Sequence, residues 1–200
     1  MRRLTAFFAL IVTGFLAYLA WIRPLIVRWG TFDHELRGDF PGDTLTPDAT
    51  LISTHGITIN APPSDIWPWL IQIGNRRAGW YSFRFIEYLV KDGLLFDETA
   101  STRLVPELQS LEPGDHIHAG DEAFKVITLE REHFVMMQPA IDPDTTGLEY
   151  PVHTNTSFGF VLGVLDVDST RLFARMRIKP DNFWHRLFVL GFLEPGHFIM

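Results

Sequence analysis

The clearest hydrophobic pattern in the chain is an alternating run followed at once by a helical one. Over residues 57–60, apolar and polar side chains alternate, which is the period of a strand with one buried face. Pro62 and Pro63 end that run and suit the first turn of a helix. The next apolar residues form one helical stripe, which consists of Ile66, Trp69, Leu70 and Ile73. The pattern therefore predicts a strand and then a helix, whose start Pro68 bends or offsets by one turn.

Alternation also predicts the rest of a sheet. Strands are predicted over 51–59, 116–119, 124–130, 134–138, 154–164 and 171–179. A second, aromatic helix is predicted over 80–90, and a final apolar helix over 183–193, where Pro195 and Gly196 interrupt it. The order strand, helix, helix, antiparallel strands, helix indicates an α+β domain with its helices on one face of a curved sheet.

The N-terminal part of the chain differs from the rest. The stretch Leu4–Ile22 holds no charged residue and lies between Arg3 and Arg23. About twenty apolar residues cross a bilayer as a helix, so we predict a single-pass membrane anchor. A cleavable signal peptide is the alternative, but the apolar run is long for one and no small-residue cleavage site follows it. Basic residues flank both ends, so the side of the membrane on which the domain lies stays open.

The predicted division is therefore an anchor with its flank (1–30), a connector rich in turn residues (31–50) and one domain (51–200). Aromatic residues make up 14% of the chain, which predicts a wide core or a cavity lined by rings. The chain has no cysteine, which excludes disulfides and thiolate metal sites. Four basic residues and no acid fall in the first 30 residues, so the remainder is strongly acidic and unsuited to nucleic acid.

Several motifs carry a resemblance to a known family. The run from Ile57 to Gly74, with its Ala61-Pro-Pro step, resembles the opening of the SRPBCC superfamily, which includes START domains, Bet v 1-like proteins and polyketide cyclase/dehydrase-like proteins. Further motifs resemble a bacterial branch with an N-terminal membrane helix. They are Arg23-Pro, Arg28-Trp-Gly, Pro41-Gly-Asp, Gly79-Trp-Tyr-Ser, Val105-Pro-Glu-Leu-Gln and Glu194-Pro-Gly-His-Phe-Ile-Met. Together they cover most of the chain from about Arg23 onward.

The resemblance implies a helix-grip fold, in which a C-terminal helix lies across a curved antiparallel sheet and leaves an apolar cavity. The superfamily has no universal catalytic motif, so it assigns no catalytic residue here. The final helix predicted for this chain is short and broken at Pro195, unlike the long helix of the best-known members.

The residues expected to line a cavity come from the two predicted helices and the facing strands. They are Trp69, Ile73, Trp80, Tyr81, Glu87, His118, Phe158 and Phe160. Rings at helical spacing more often belong to a plain core. A carboxyl beside rings has a raised pKa and can act as a general acid or base, but Glu87 can also pair on the surface with Arg84 or Lys91.

Two further groups have a possible chemical role and a plainer alternative. His116 and His118 share one face of a strand and could bind a metal with Asp121 or Glu122, but nothing fixes a third ligand. We therefore predict no metal and no other cofactor. Arginines alternate along the last predicted strand and would suit an anionic head group, although a solvated sheet face is the simpler interpretation. They are Arg171, Arg175 and Arg177.

The sequence thus predicts a membrane-anchored domain that binds a hydrophobic small molecule or lipid in an internal cavity. One alternative is a polyketide cyclase- or dehydratase-like enzyme, for which Glu87, Tyr81 and His118 are candidate acids and bases. Another is an interaction module without a pocket. Neither a Gly-x-Ser-x-Gly elbow nor a glycine-rich nucleotide loop occurs. Ligand identity, catalysis, oligomeric state and any continuation beyond Met200 stay open.

Overall fold

The computed structural model describes residues 2–81, 100–119, 122–141 and 155–199. These residues contain a six-stranded antiparallel sheet with the strand order β1-β6-β5-β4-β3-β2. The strands are β1 (Leu51–Ile59), β2 (His116–Ala119), β3 (Glu122–Glu130), β4 (Phe134–Ala140), β5 (Thr156–Asp166) and β6 (Ser169–Ile178). The predicted α+β fold with a curved antiparallel sheet and packed helices is confirmed.

Helices precede, interrupt and follow this sheet. They are α1 (Arg2–Ala17), α2 (Arg23–Ile26), α3 (Pro63–Ile71), α4 (Phe183–Phe188) and α5 (Glu194–Ile199). A π-helical turn, Tyr18–Ile22, joins α1 to α2, and we call these three pieces the N-terminal helix. A second π-helical turn, Val189–Leu193, joins α4 to α5, and these three pieces are the closing helix.

The predicted break at Pro195 is wrong, because the closing helix continues to Ile199. A proline inside an α-helix removes a hydrogen bond and collides with the carbonyl four residues earlier. Here a π-helical turn lies directly before Glu194 and Pro195. This wider turn changes which carbonyl each following residue faces. The N-terminal helix has the same arrangement, since its own π-helical turn lies directly before Arg23 and Pro24.

The N-terminal helix is also long and apolar enough to cross a membrane, over Thr5–Ile26. Its last residues lead into a turn, residues 27–30, that covers the free edge of β1. The Thr54 amide donates to the Val27 carbonyl at 2.8 Å, and the Gly56 amide donates to the Trp29 carbonyl at 3.1 Å. An uncovered edge strand is a template for aggregation, so this pairing both protects β1 and fastens the helix to the domain.

Gly30 is required where this segment meets β1. Its φ is +69°, and a Cβ there would come within 2.1 Å of the Gly56 carbonyl oxygen. Glycine is the residue that combines this backbone angle with so close an approach. The conformation accounts for the glycine of the Arg28-Trp-Gly motif in structural terms.

The core lies between the sheet and α3 together with the closing helix. Its fully buried members include Ile117, Val126 and Val135 from the strands and Val189 from the closing helix. The stripe predicted for α3 is only partly right. Ile66 and Leu70 are buried within the helix and Ile73 just beyond it, but Trp67 is buried where Trp69 was expected, and Trp69 is half-buried. Ile57, expected to be buried on β1, is 41% exposed.

The second face of β6 is not the solvated surface that alternation predicted. Arg171, Arg175 and Arg177 are all buried, because the connector of residues 31–50 folds over them. Arg171 pairs with Glu35 at 2.7 Å, and its guanidinium holds the pKa of that carboxyl below its usual value. Arg175 and Arg177 both pair with Asp43, at 2.7 and 3.1 Å.

Hydrogen bonds and one ring complete the surroundings of these cations. Arg175 also donates to the Thr54 hydroxyl at 2.7 Å and lies 4.3 Å from the centroid of the Phe40 ring. Short 3₁₀ turns at Glu35–Arg37 and Asp43–Leu45 present the two connector carboxylates to the sheet. Buried charges persist only when they are paired and hydrogen-bonded, so the connector is an integral layer of the domain.

We expect Asp43→Asn to lower the free energy of unfolding by about 2–4 kcal/mol, because it leaves Arg175 and Arg177 buried without their counter-charge. Asp33→Asn is the matched control. It removes an exposed partner of Arg28 and should cost at most about 1 kcal/mol. Urea unfolding of both variants measures the difference, and equal losses would contradict a structural role for the connector.

Candidate functional site

A buried polar region lies where the N-terminal helix meets the closing helix and β1. The two helices run parallel. Leu187 lies against residues 11–16, and farther along Trp29 packs edge-on against Phe198 with ring centroids 6.0 Å apart. Because Phe15 and Leu19 also pack against the main core, the N-terminal helix is continuous with the domain interior.

A bidentate ion pair joins the two helices. The Arg23 guanidinium donates to the two carboxylate oxygens of Glu194 at 2.6 and 2.7 Å. Glu194 is 1% exposed as a side chain, whereas Arg23 keeps 24% of its surface open. Such fork-to-fork geometry is the strongest form of this pair and fixes the orientation of both partners. Each of the two residues lies between a π-helical turn and a proline, so the pair joins the two helices at the ends of these turns.

One further hydrogen bond follows from the π-helical geometry. The Glu194 amide donates to the Val189 carbonyl, five residues earlier. In the same register the Leu190 carbonyl would need a donor from Pro195, which has no N–H group. The Tyr18 hydroxyl supplies that bond at 2.8 Å. The N-terminal helix therefore satisfies a backbone acceptor that the closing helix leaves without an internal partner.

Beside the ion pair lies a group of three buried residues, Ser53, His55 and His197, which we call the imidazole cluster. The Ser53 hydroxyl lies 3.1 Å from Nε2 of His55 and 3.0 Å from Nδ1 of His197. The two imidazole rings stack with centroids 4.3 Å apart and an interplanar angle of 25°. All three residues are at most 9% exposed, so the contacts lie in a water-poor interior.

Both rings of the cluster are held neutral. Burial lowers the pKa of His197 well below its ordinary value, and the nearby His55 lowers it further. Burial also lowers the pKa of His55, although hydrogen bonds to the backbone of Ile26 and His197 oppose that shift. Desolvation dominates in each case, because a charged imidazole loses its hydration in this interior.

The Ser53 hydroxyl bonds to one nitrogen of each ring, Nε2 of His55 and Nδ1 of His197. A hydroxyl has one donor and two acceptor sites, so it can serve both rings at once. The second ring nitrogen of His197 is Nε2. It is buried and has no partner among the described residues.

The surroundings of the cluster are apolar and aromatic. Phe158 packs edge-on against the His197 ring at 5.4 Å, and Phe160 packs on Phe158 at 5.2 Å. The strand register places Ser53 opposite Met176, which in turn lies opposite Phe158. The cluster thus lies on the core face of the sheet, under α5. An apolar interior with one oriented polar group is typical of a small-molecule site.

The predicted cavity residues fall into two groups. Phe158 and Phe160 lie beside the imidazole cluster, as described above. Trp69 packs edge-on against Tyr81 at 5.9 Å, and Trp80 donates from its indole to the His118 carbonyl at 2.8 Å, near β2. Ile73 is buried in the core nearby.

The rest of the predicted aromatic helix over 80–90 cannot be placed. Glu87 and the other positions from 82 to 90 lie outside the described residues. Trp80 and Tyr81, its first two residues, belong to no helix. The structure therefore gives no position for the carboxyl proposed as a general acid or base.

The two best-formed depressions among the described residues are open grooves on the outside of the fold. One, of about 330 Å³, lies between the connector residue Pro41 and strands β4 and β5 near Phe134 and Val161. The other, of about 290 Å³, lies between the N-terminal helix and Leu187 of the closing helix. Neither lies between the sheet and the closing helix, where the resemblance placed a cavity.

Metal ligands do not converge in the described part of the chain. No group of three or more His, Cys, Asp or Glu side chains is close enough there to hold an ion. His116 and His118 lie on β2, at the edge of the sheet, and Asp121 lies outside the described residues.

The chain is similar to several solved structures at low sequence identity. No protein-family model and no curated protein matches the chain. Among solved structures, Ms6760 from Mycobacterium smegmatis is 14% identical over 75% of this chain and 87% of its own, with a TM-score of 0.42. A Polyketide_cyc-like protein from Corynebacterium glutamicum is 14% identical over 72% and 74%, with a TM-score of 0.34. Norcoclaurine synthase from Thalictrum flavum is 16% identical over 78% and 83%, with a TM-score of 0.34.

The motifs at the two ends of the chain that carry the family resemblance meet in the structure. Arg23 and Trp29 from the N-terminal motifs contact Glu194 and Phe198 from the C-terminal one. The imidazole cluster was missed in the sequence because Ser53 and His197 are 144 positions apart. The feature of the sequence that could have indicated the cluster was the spacing of Ser53 and His55, which are two positions apart and share the inward face of β1.

We expect the protein to lose stability as the pH falls below about 6.5. The two histidines of the unfolded chain then bind protons, whereas in the folded protein the pKa values of His55 and His197 are lowered. The loss is up to about 1.4 kcal/mol per pH unit for each such proton. His197→Asn keeps a donor for Ser53 but does not titrate, so its stability should fall less between pH 7.5 and 5.5. His34→Asn, on an exposed residue, is the control. Unfolding curves at both pH values measure the effect, and unchanged pH dependence in His197→Asn would refute it.

We expect Glu194→Gln to cost about 2–3 kcal/mol of unfolding free energy, since it leaves the Arg23 guanidinium without its buried counter-charge. Glu130→Gln, which removes an exposed partner of His133, should cost less than about 1 kcal/mol. Chemical unfolding in detergent compares the two. If Glu194→Gln were as mild as its control, the ion pair would not be what joins the helices.

Proposed function

We propose that the protein binds a hydrophobic small molecule or lipid at a membrane, with the N-terminal helix as its single-pass anchor. The observation that carries this proposal is the packing of that helix on the closing helix. A segment long and apolar enough to cross a bilayer lies along the element that covers the core face of the sheet. A ligand that leaves the bilayer would therefore meet the domain at its closing helix, without crossing water.

The interior beneath the closing helix has the chemistry that such a ligand needs. Its walls are rings and aliphatic side chains, and burial of an apolar ligand there would gain about 25 cal/mol for each Å² removed from water. His197 offers one unpaired ring nitrogen, Nε2. We therefore expect a ligand that is mainly apolar and carries one hydroxyl or carboxyl group that hydrogen-bonds to this nitrogen.

The imidazole cluster also favours a second candidate, an enzyme related to polyketide cyclases or dehydratases. A neutral imidazole with a free Nε2 is a competent general base, and Ser53 and His55 would orient it. His197→Asn separates the two candidates. The variant would abolish turnover if the imidazole removes a proton, whereas a binding protein would lose only affinity.

The close packing of the described core favours a third candidate, an interaction module without a pocket. Ile117, Val126 and Val135 have no exposed surface, and the two described grooves are open. Such a protein would retain no ligand through purification.

The test of the proposal is native mass spectrometry of the detergent-extracted full chain. We expect an additional mass that organic extraction removes and that a melting shift identifies within a panel of lipids and polyketides. Phe158→Ala, which enlarges the interior beside His197, should change which molecules bind, and Ile52→Ala, on the other face of β1, should not. Protein that carries no extra mass and whose melting temperature no panel member shifts would overturn ligand binding.

A further inference from the structure

Four aromatic side chains on the closing helix point into solvent. Phe183, Trp184, Phe188 and Phe192 are 64%, 75%, 49% and 42% exposed, and we call them the aromatic ridge. Single exposed rings need no explanation, but these four form two contacting pairs on one helix. Phe183 lies 5.5 Å from Trp184, and Phe188 stacks on Phe192 at 5.3 Å, between ring centroids. Soluble monomers rarely expose such patches unless a partner or a membrane covers them.

The ridge is continuous with the exposed surface of the N-terminal helix. Leu187, which lies between ridge residues in sequence, shares a groove with residues 11–16 of that helix. Phe8 and Ile11 on the same helix are 58% and 51% exposed. Because the two helices run parallel, the ridge lies level with the stretch that any bilayer around the N-terminal helix would contain. A membrane that takes up this stretch therefore also reaches the ridge.

The charges of the closing helix fit the same surface. Between Phe183 and Leu193 there is no acidic residue, and Arg186 is the exposed basic one. Tryptophan and phenylalanine suit the boundary between lipid tails and head groups. The exposed acid nearest to the ridge in sequence is Asp181, two residues before Phe183.

We propose that the aromatic ridge is a second membrane contact, in which the closing helix lies against the lipid that surrounds the N-terminal helix. This inference rests on the membrane association proposed above. The Arg23–Glu194 ion pair and the Tyr18 hydrogen bond hold the two helices together, so they enter the lipid as one unit. The domain then lies directly on the bilayer, with the imidazole cluster beneath the lipid-facing helix.

Depth-dependent quenching of single fluorophores tests this contact in the full chain. The protein has no cysteine, so one introduced cysteine carries the label. Phe188→Cys places it on the ridge, and Phe8→Cys places it on the N-terminal helix. Val167→Cys is the matched control, because Val167 is 84% exposed and lies at the opposite end of β6 from the closing helix. Each variant is labelled with a nitrobenzoxadiazole dye and reconstituted in phosphatidylcholine and phosphatidylglycerol vesicles with or without spin-labelled lipid.

We expect the labels at positions 188 and 8 to shift to the blue and to lose most of their emission to spin-labelled lipid. The label at position 167 should be quenched by aqueous iodide only. If the label at 8 is quenched by lipid and the label at 188 behaves like that at 167, the ridge proposal fails and the anchor stands. If neither is quenched by lipid, both fail. Energy transfer between copies labelled at 188, without lipid quenching, would assign the ridge to a dimer and also overturn it.

Trp184→Cys provides a second label on the ridge should Phe188→Cys fail to fold. Both positions are exposed, so neither change removes core packing. Circular dichroism of each variant before labelling confirms that the fold is retained.

Discussion

The ion pair between Arg23 and Glu194 is the interaction on which the arrangement of the chain depends. It joins two helices that each continue through a proline, directly after the turn where each has changed to π-helical geometry. Once the N-terminal helix is fixed there, Val27 and Trp29 can pair with the edge of β1. The connector then starts beside β1 and crosses the arginine face of β6. One contact between distant ends of the sequence thus aligns an edge strand, a covering layer and the closing helix.

The same junction brings the polar chemistry of the domain together. Its two histidines are kept neutral by burial, and the hydroxyl of a serine between them bonds to both rings. Nε2 of His197 remains buried without a partner among the described residues. A buried polar atom of this kind is costly unless something pairs with it, which supports the ligand proposed above.

The sequence predicted the strands well, because alternation along a half-buried strand is a local signal. The bounds of β1 and β2 agree with the predicted ones, and those of the other strands differ by about two residues. Its failures concern contacts between distant segments. Arg171 and Arg175 were interpreted as a solvated face, because their partners Glu35 and Asp43 are distant in sequence. The continuation of the closing helix past Pro195 could not be predicted from the rule that proline ends a helix. It depends on a π-helical turn, which helix propensities do not predict.

Neutron reflectometry of the full chain on a supported bilayer tests most directly whether domain, anchor and membrane form one unit. If the closing helix lies on lipid, the protein density begins within the head-group layer and no water layer separates the domain from the membrane. A hydrated gap between the head groups and the domain would contradict this, since the domain would then hang from the anchor alone.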